Sequence, residues 1–261
     1  MNKYGFQTQG LILQKFPYRE RDLIVKTLSP KGQLMNVVFY GGKGGGTKKK
    51  SSLVELGHCL NLQMNRKKLN DDKMLVAKEW TLHWNPQKIR ENHQAYYLMN
   101  FYFEMILKLN IESDEQYESD EHKELYILLS NALFYLEKDL TAETFSLFDH
   151  LNVFLAKFIN YLGILPDLSD CLYCGKKLEH TYVIDSANGG FNCCLSEKPK
   201  KEDLDVSKRV REVLAHVLIN KYEDAISMNK QDSQVANVLF HYFCYQFHLT
   251  PQSFKSASLI F

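Results

Sequence analysis

"GGKGGGTKKKSSLVELGHCLNLQM", residues 41–64, sets a glycine- and lysine-rich segment directly before a run that alternates apolar and polar residues. Its first twelve residues hold five glycines and four lysines, which suits a backbone that must approach an anion closely. A mononucleotide loop would put Lys directly after its last Gly and a hydroxyl after that, so that the amine reaches the terminal phosphates. Here Gly41, four residues and Gly46 are followed by Thr47 and only then Lys48, the reverse order. No frame through these glycines spells a dinucleotide fingerprint, and the residues beyond Ser52 read as strand, not helix. Two readings remain, a polyanion-binding loop and a solvated linker. The glycines favour the loop, since a merely solvated lysine run does not need them.

Working outward, the first 84 residues break into short alternating runs: 10–16, 22–28, 33–40, 56–64 and 74–84. Leu60–Met64 and Trp80–Trp84 alternate as half-buried strands do, and "SPKG" (29–32) has the Pro and Gly of a tight turn. Five strands with one long loop predict a small barrel of the oligonucleotide-binding (OB) type over residues 1–84. From about residue 94 the period becomes helical. "AYYLMNFYFEMILKL" (95–109) is apolar nearly all round and predicts a buried helix, and stripes follow at 125–136, 145–162, 206–217 and 235–243. "IESDEQYESDE" (111–121) reads as a solvated connection. The expected class is therefore α+β: a barrel, then an all-α domain over 85–261 carrying a cysteine segment at 171–196.

Charge divides along the same line. Residues 1–80 hold 15 Lys/Arg and 6 Asp/Glu, a net of +9, whereas residues 81–261 hold 17 and 25, a net of −8. A basic module joined to an acidic one suggests that the first meets an acidic polymer. Lys43, Lys48, Lys49 and Lys50 lie in the glycine segment, Arg66, Lys67 and Lys68 in the turn after the next strand, and Lys15, Arg19 and Arg21 around "KFPYRER". With Tyr18, Phe39 and Tyr40 nearby, they provide cations for phosphates and rings for bases, the parts of a single-strand-binding groove. No secretory leader or run of 18 apolar residues is present, so the expectation is a cytoplasmic, nucleoid-associated protein.

Four of the six cysteines, Cys171, Cys174, Cys193 and Cys194, fall within "CLYCGKKLEHTYVIDSANGGFNCC". C-x₂-C followed by Gly is a knuckle turn that aims both sulfurs at one metal, and a second pair some twenty residues on would complete a structural zinc site. Adjacent Cys193 and Cys194 diverge in extended backbone, so both ligate one ion only if the chain kinks there. His180 is the alternative ligand, and Ser196 stands where a second C-x₂-C would end. Cys59 and Cys244 stand apart and read as buried apolar residues. No G-x-S-x-G or H-E-x-x-H occurs, and the chain reads as non-enzymatic. Two rivals are a metal-dependent enzyme acting on nucleic acid and an adaptor whose basic loop meets acidic protein tails.

The order of these features resembles the RecO family of bacterial DNA repair and recombination mediators. "GLILQ", "YRERD" with "LIV", the Gly-Lys loop ending "KSS", "LGILPDLSDCLYCG" paired with "GGFNC", and "FHLTPQSFKS" carry the resemblance over essentially the whole chain. It implies an OB barrel, a helical domain and often a zinc knuckle. It also implies binding of single- and double-stranded DNA, strand annealing, and work with RecR and single-stranded-DNA-binding protein to help RecA load. The family's last knuckle cysteine falls at Ser196, and the glycine segment is richer in glycine than is usual. That partner's acidic tail would suit an apolar helix groove with a basic rim, for which Lys208, Arg209 and Arg211 are the candidates.

Overall fold

The structure, a computed structural model, describes residues 5–43, 52–66, 74–109, 122–195, 199–227 and 232–261, without the side chains of Arg66 and Met74. Each predicted strand is present: β1 (Gly5–Tyr18), β2 (Asp22–Leu28), β3 (Leu34–Phe39), β4 (Cys59–Arg66) and β5 (Met74–Trp84). They hydrogen-bond in the order β1-β2-β3-β5-β4, and β4 pairs back onto β1, which closes the barrel. Three residue pairs, Asn36–Val38 with Met74–Val76, form its parallel seam; the other pairings are antiparallel. Alternation turns Val25, Val37, Phe39, Leu60, Leu62, Met64 and Trp80 inward, with Phe39 edge-on to Trp80 at 5.1 Å.

β1 is twice its expected length because one strand serves two partners. Gly5–Leu11 pair with β4 and Leu11–Tyr18 with β2, and the register slips between Ile12 and Gln14. At the slip Ile12 N–H donates to the His58 carbonyl and Gly57 N–H to that of Ile12, so the bulge is hydrogen-bonded rather than orphaned. Such a bend lets a small sheet curl onto itself. The "SPKG" turn forms as read, with Gly32 N–H donating to the Ser29 carbonyl. Gly32 has φ +79°, and a Cβ there would lie 1.8 Å from the His122 carbonyl oxygen, so glycine is required twice over.

Helices follow: α1 (Gln87–Glu91), α2 (His93–Lys108), α3 (Lys123–Thr141), α4 (Leu147–Tyr161), then the hairpin β6 (Val183–Asp185)–β7 (Gly190–Asn192), then α5 (Lys201–Ile219), α6 (Tyr222–Ile226) and α7 (Ser233–Gln246). The short α1 and α6 carry too few turns to show a period and were not anticipated. The acidic connection at 111–121 lies outside the described residues. Two compact units emerge, Met1–Asn92 with Tyr102–Ser130, and His93–Phe101 with Asn131–Phe261. In the first, residues beyond 84 join the barrel through specific bonds. Arg90 Nη1 donates to His58 Nε2 at 2.9 Å, which leaves His58 Nδ1–H to donate to the Leu53 carbonyl at 2.9 Å. Tyr126 Oη lies 3.9 Å from Cys59 Sγ.

In the second unit α4 is the central helix, with Leu151, Val153, Phe154, Leu155, Ala156, Phe158 and Ile159 buried. α5 and α7 pack on it. Lys157 crosses from α4 to close the C-terminus of α5, its Nζ donating to the carbonyls of Val217 and Asn220 at 2.9 and 3.0 Å. Asp232 caps α7 by accepting from Gln234 and Val235 N–H.

Candidate metal centre and nucleic-acid surface

The knuckle is built from the backbone outward. Asp167 Oδ1 accepts from Ser169 and Asp170 N–H and starts the turn, and Asp170 bridges to Lys177 by backbone and by a 2.9 Å ion pair. Cys171 N–H donates to the Lys176 carbonyl and Gly175 N–H to that of Cys171, with Gly175 at φ +66°. Leu172 N–H donates to the Phe191 carbonyl at 2.8 Å, which lays the knuckle beside β7. Gly190 keeps that approach close, since a Cβ there would meet the Leu172 side chain at 3.1 Å. The other faces are held by α5 and α7. Ser207 Oγ accepts from Ile184 N–H, Gln246 donates to the Ser186 carbonyl, and the Tyr242 hydroxyl donates to the Ile164 carbonyl at 2.6 Å.

All four sulfurs of Cys171, Cys174, Cys193 and Cys194 come within 4.8 Å of one another. Cys174 and Cys193 Sγ are 3.5 Å apart, and Cys171 and Cys194 Sγ 4.0 Å. Zinc with Zn–S near 2.3 Å has tetrahedral S···S edges of about 3.8 Å, so the donor set fits that ion. Asn192 resolves the problem of the adjacent cysteines. Its Oδ1 accepts from Cys194 N–H at 2.7 Å, an Asx turn that kinks the chain and swings both sulfurs to one side. Sequence reasoning passed over Asn192, although Asn before a required kink is a readable signal. Of the alternatives, His180 is exposed and outside the cluster, and Ser196 lies outside the described residues.

Electrostatics agree with a cation site. The backbone N–H groups of Cys193, Cys174 and Tyr173 aim at Cys171 and pull its thiol down to about 5. The neighbouring sulfurs then push Cys193 up to about 12 and Cys194 upward as well. Four thiolates this close ionise together only around a positive ion. Cys59 and Cys244 are buried and not part of the four-sulfur cluster, each thiol raised by desolvation.

On the barrel, the root of the glycine–lysine segment is tied to the β1–β2 turn. Lys43 N–H donates to the Arg21 carbonyl at 3.0 Å and its Nζ to the Arg19 carbonyl at 2.7 Å. Gly41, at φ +71°, donates to Asp22 Oδ1 at 2.9 Å. Exposed Arg19, Arg21 and Lys43 therefore share one barrel end, with the Arg19 guanidinium 5.0 Å from the Tyr18 ring centre. Strand register adds Phe16, opposite Ile24, and Lys26, opposite Gln14 and Asn36. Phe16 and Tyr40 are 40% and 44% exposed, room enough for a base to stack.

Two expectations change. Phe39 is wholly buried against Trp80, because it shares the inward parity of Val37, and Phe16 takes its place outside. Lys15 is a strap: its Nζ donates to the Val54 carbonyl and pairs with Glu55 at 2.5 Å. Lys48, Lys49, Lys50, Lys67 and Lys68, and the side chain of Arg66, lie outside the described residues.

The basic rim expected on α5 is not assembled. Arg211 donates to the carbonyls of Leu168 and Leu178 at 2.6 and 3.0 Å and lies over the Tyr182 ring, stapling the knuckle to the helix. Arg209 pairs with Asp232 and donates to Gln234, and only Lys208 is left exposed. The groove beside this helix, floored by Val183, Val206 and Val238, has Glu202 and Asp203 at its edge, the wrong sign for an acidic tail.

Residues 1–75 match the family described as Recombination protein O N terminal, and residues 90–257 the family described as Recombination protein O C terminal. The DNA repair protein RecO of Thermodesulfovibrio yellowstonii is 27% identical over 190 residues, 72% of this chain and 68% of that one. The DNA repair protein RecO of Caldanaerobacter subterraneus subsp. tengcongensis is 30% identical over 145 residues, 56% of this chain and 54% of its own. Among the described residues no helix is long and apolar enough to cross a membrane.

Proposed function

The chain belongs to the RecO family, and from that premise we propose that it acts in DNA repair and recombination as a non-enzymatic mediator that binds single- and double-stranded DNA and anneals complementary strands. The observation that carries the reading is the barrel end where Arg19, Arg21 and Lys43 converge beside exposed Phe16 and Tyr40. Cations there neutralise phosphates without reading sequence, and the rings stack on bases of any identity. Neutralising two strands at once lowers their mutual repulsion, which is the physical basis of annealing. Lys48, Lys49, Lys50, Arg66, Lys67 and Lys68 would extend the same site. RecR, single-stranded-DNA-binding protein and, indirectly, the RecA filament are the partners this reading assigns, in the cytoplasm and on the nucleoid. The acidic tail of single-stranded-DNA-binding protein would need a basic spot other than the Arg209 and Arg211 face.

The cysteine centre in this reading holds structural zinc through Cys171, Cys174, Cys193 and Cys194. Zinc would supply a cross-link between the knuckle and the β6–β7 hairpin. Four thiolates fill its tetrahedron and leave no position for an activated water, which speaks against metal-dependent hydrolysis. The deciding experiment titrates full-length protein with labelled single- and double-stranded oligonucleotides at two salt concentrations. Tight binding to both that weakens steeply with salt is expected; salt-insensitive or absent binding would turn the basic end over to the adaptor reading.

A further inference from the structure

We propose that the cysteine centre is a peroxide modification site, at which oxidation joins Cys174 to Cys193 and releases the metal. The proposal rests on the zinc reading above and extends it to the reactivity of the ligands. Burial sorts the four sulfurs. Cys171 is 3% exposed and wrapped by its own turn, whereas Cys174 and Cys194 are exposed and Cys193 is half-buried. Exposed Cys174 has the Cys193 sulfur 3.5 Å away, nearer than Cys194 lies to Cys171 at 4.0 Å. A disulfide needs about 2 Å, so the two need close by roughly 1.5 Å from non-bonded contact. Oxidant thus reaches the sulfurs that are best placed to join. Cys59 and Cys244, both buried, are internal controls.

The chemistry balances with a peroxide as oxidant. The Cys174 sulfur attacks one peroxide oxygen, the O–O bond breaks, and a sulfenic acid forms as one water leaves. The Cys193 sulfur then attacks the Cys174 sulfur and expels the oxygen as a second water, with protons drawn from solvent. Two electrons pass from the sulfurs to the peroxide. The metal ion, left with two ligands, departs, and Cys171 and Cys194 take up one proton each. Bonds that do not run through sulfur remain to hold the arms: Leu172 N–H to the Phe191 carbonyl joins the two, and Arg211, bound to the Leu168 and Leu178 carbonyls, ties the knuckle to α5. The oxidised centre therefore keeps its place, and a thiol reductant with added zinc restores it.

The test uses the full-length protein. Its zinc content is measured as purified, hydrogen peroxide is added, and freed zinc is followed with a zinc-sensitive dye while disulfides are mapped by mass spectrometry without reduction. Release of most of the zinc, Cys174–Cys193 as the first disulfide, the same behaviour in C59S/C244S, unchanged far-ultraviolet circular dichroism, and recovery with dithiothreitol and zinc are expected. Zinc retained through a tenfold excess of peroxide over protein, or a first product at Cys59, Cys244 or Cys171, would overturn the proposal. Protein purified without metal defeats the zinc reading and this one together; metal bound and kept defeats this one alone.

Discussion

At the scale of single residues, the contest between a phosphate loop and a solvated linker turns on what each lysine touches. Lys15 and Arg21 carry the same formal charge, yet Lys15 is spent on Glu55 and Arg21 is exposed beside Lys43. Arg19→Ala with Arg21→Ala should weaken binding to all DNA sequences alike. It should also flatten the dependence of log affinity on log salt by about one unit per lost phosphate contact. Lys15→Ala should leave that slope unchanged, and equal effects from both would show that the barrel end is not the contact surface. Asn192 offers a parallel test at the metal centre. Asn192→Ala removes no ligand, only the turn that aims Cys194, so zinc affinity should fall about 10- to 100-fold in chelator competition. Cys194→Ser should lose more, since it removes a donor outright.

Elements are held by polar side chains that no periodicity reveals. Arg211 sits on the helical stripe's flank, where a sequence places a solvated cation, yet it binds two carbonyls of the knuckle. Arg211→Ala leaves those carbonyls unpaired and should destabilise the protein by about 2–3 kcal/mol in urea unfolding. Lys157→Met should lower stability by about 1–3 kcal/mol for the same reason at the end of α5. His58 makes the barrel sensitive to acid. Burial, with the Arg90 cation adding to it, holds its imidazole below the ordinary value of 6.5 despite the Leu53 carbonyl. The folded state keeps the ring neutral, so below pH 6.5 the unfolded chain binds more protons and stability falls as pH falls. Urea midpoints between pH 7 and 5.5 should therefore drop more steeply for the native protein than for His58→Asn, which cannot titrate.

For the whole molecule, two units with separate cores predict separable losses. Every sulfur of the four-cysteine cluster lies in the unit formed by His93–Phe101 and Asn131–Phe261, and the barrel's core contains none of them. Stripping zinc with a strong chelator should lower the heat-unfolding midpoint. The Kd for an oligonucleotide at fixed salt should change by less than about threefold, because the cations proposed to meet phosphate stand on other elements. A large loss of affinity on chelation would join the two functions and contradict this division.

The five strands and the long helices were legible because apolar spacing records which face meets a core, at period 2 in β1–β5 and near 3.6 in α2–α5 and α7. The same holds for the cysteines, whose spacing and following glycine announce a knuckle in any context. Local chemistry therefore determined the α+β architecture, the basic barrel and the donor set. Tertiary structure decided the rest. Whether Phe16 or Phe39 faces solvent depends on strand parity, and whether Lys15, Arg209 or Arg211 is available to a partner depends on acceptors 23 to 43 residues away in the chain. Those acceptors are carbonyls and carboxylates that occur everywhere in the sequence, so nothing in composition distinguishes a cation open to solvent from one already satisfied. Only the closed barrel and the packed helices bring the partners within bonding distance, and that proximity separates the structural cations from the exposed ones.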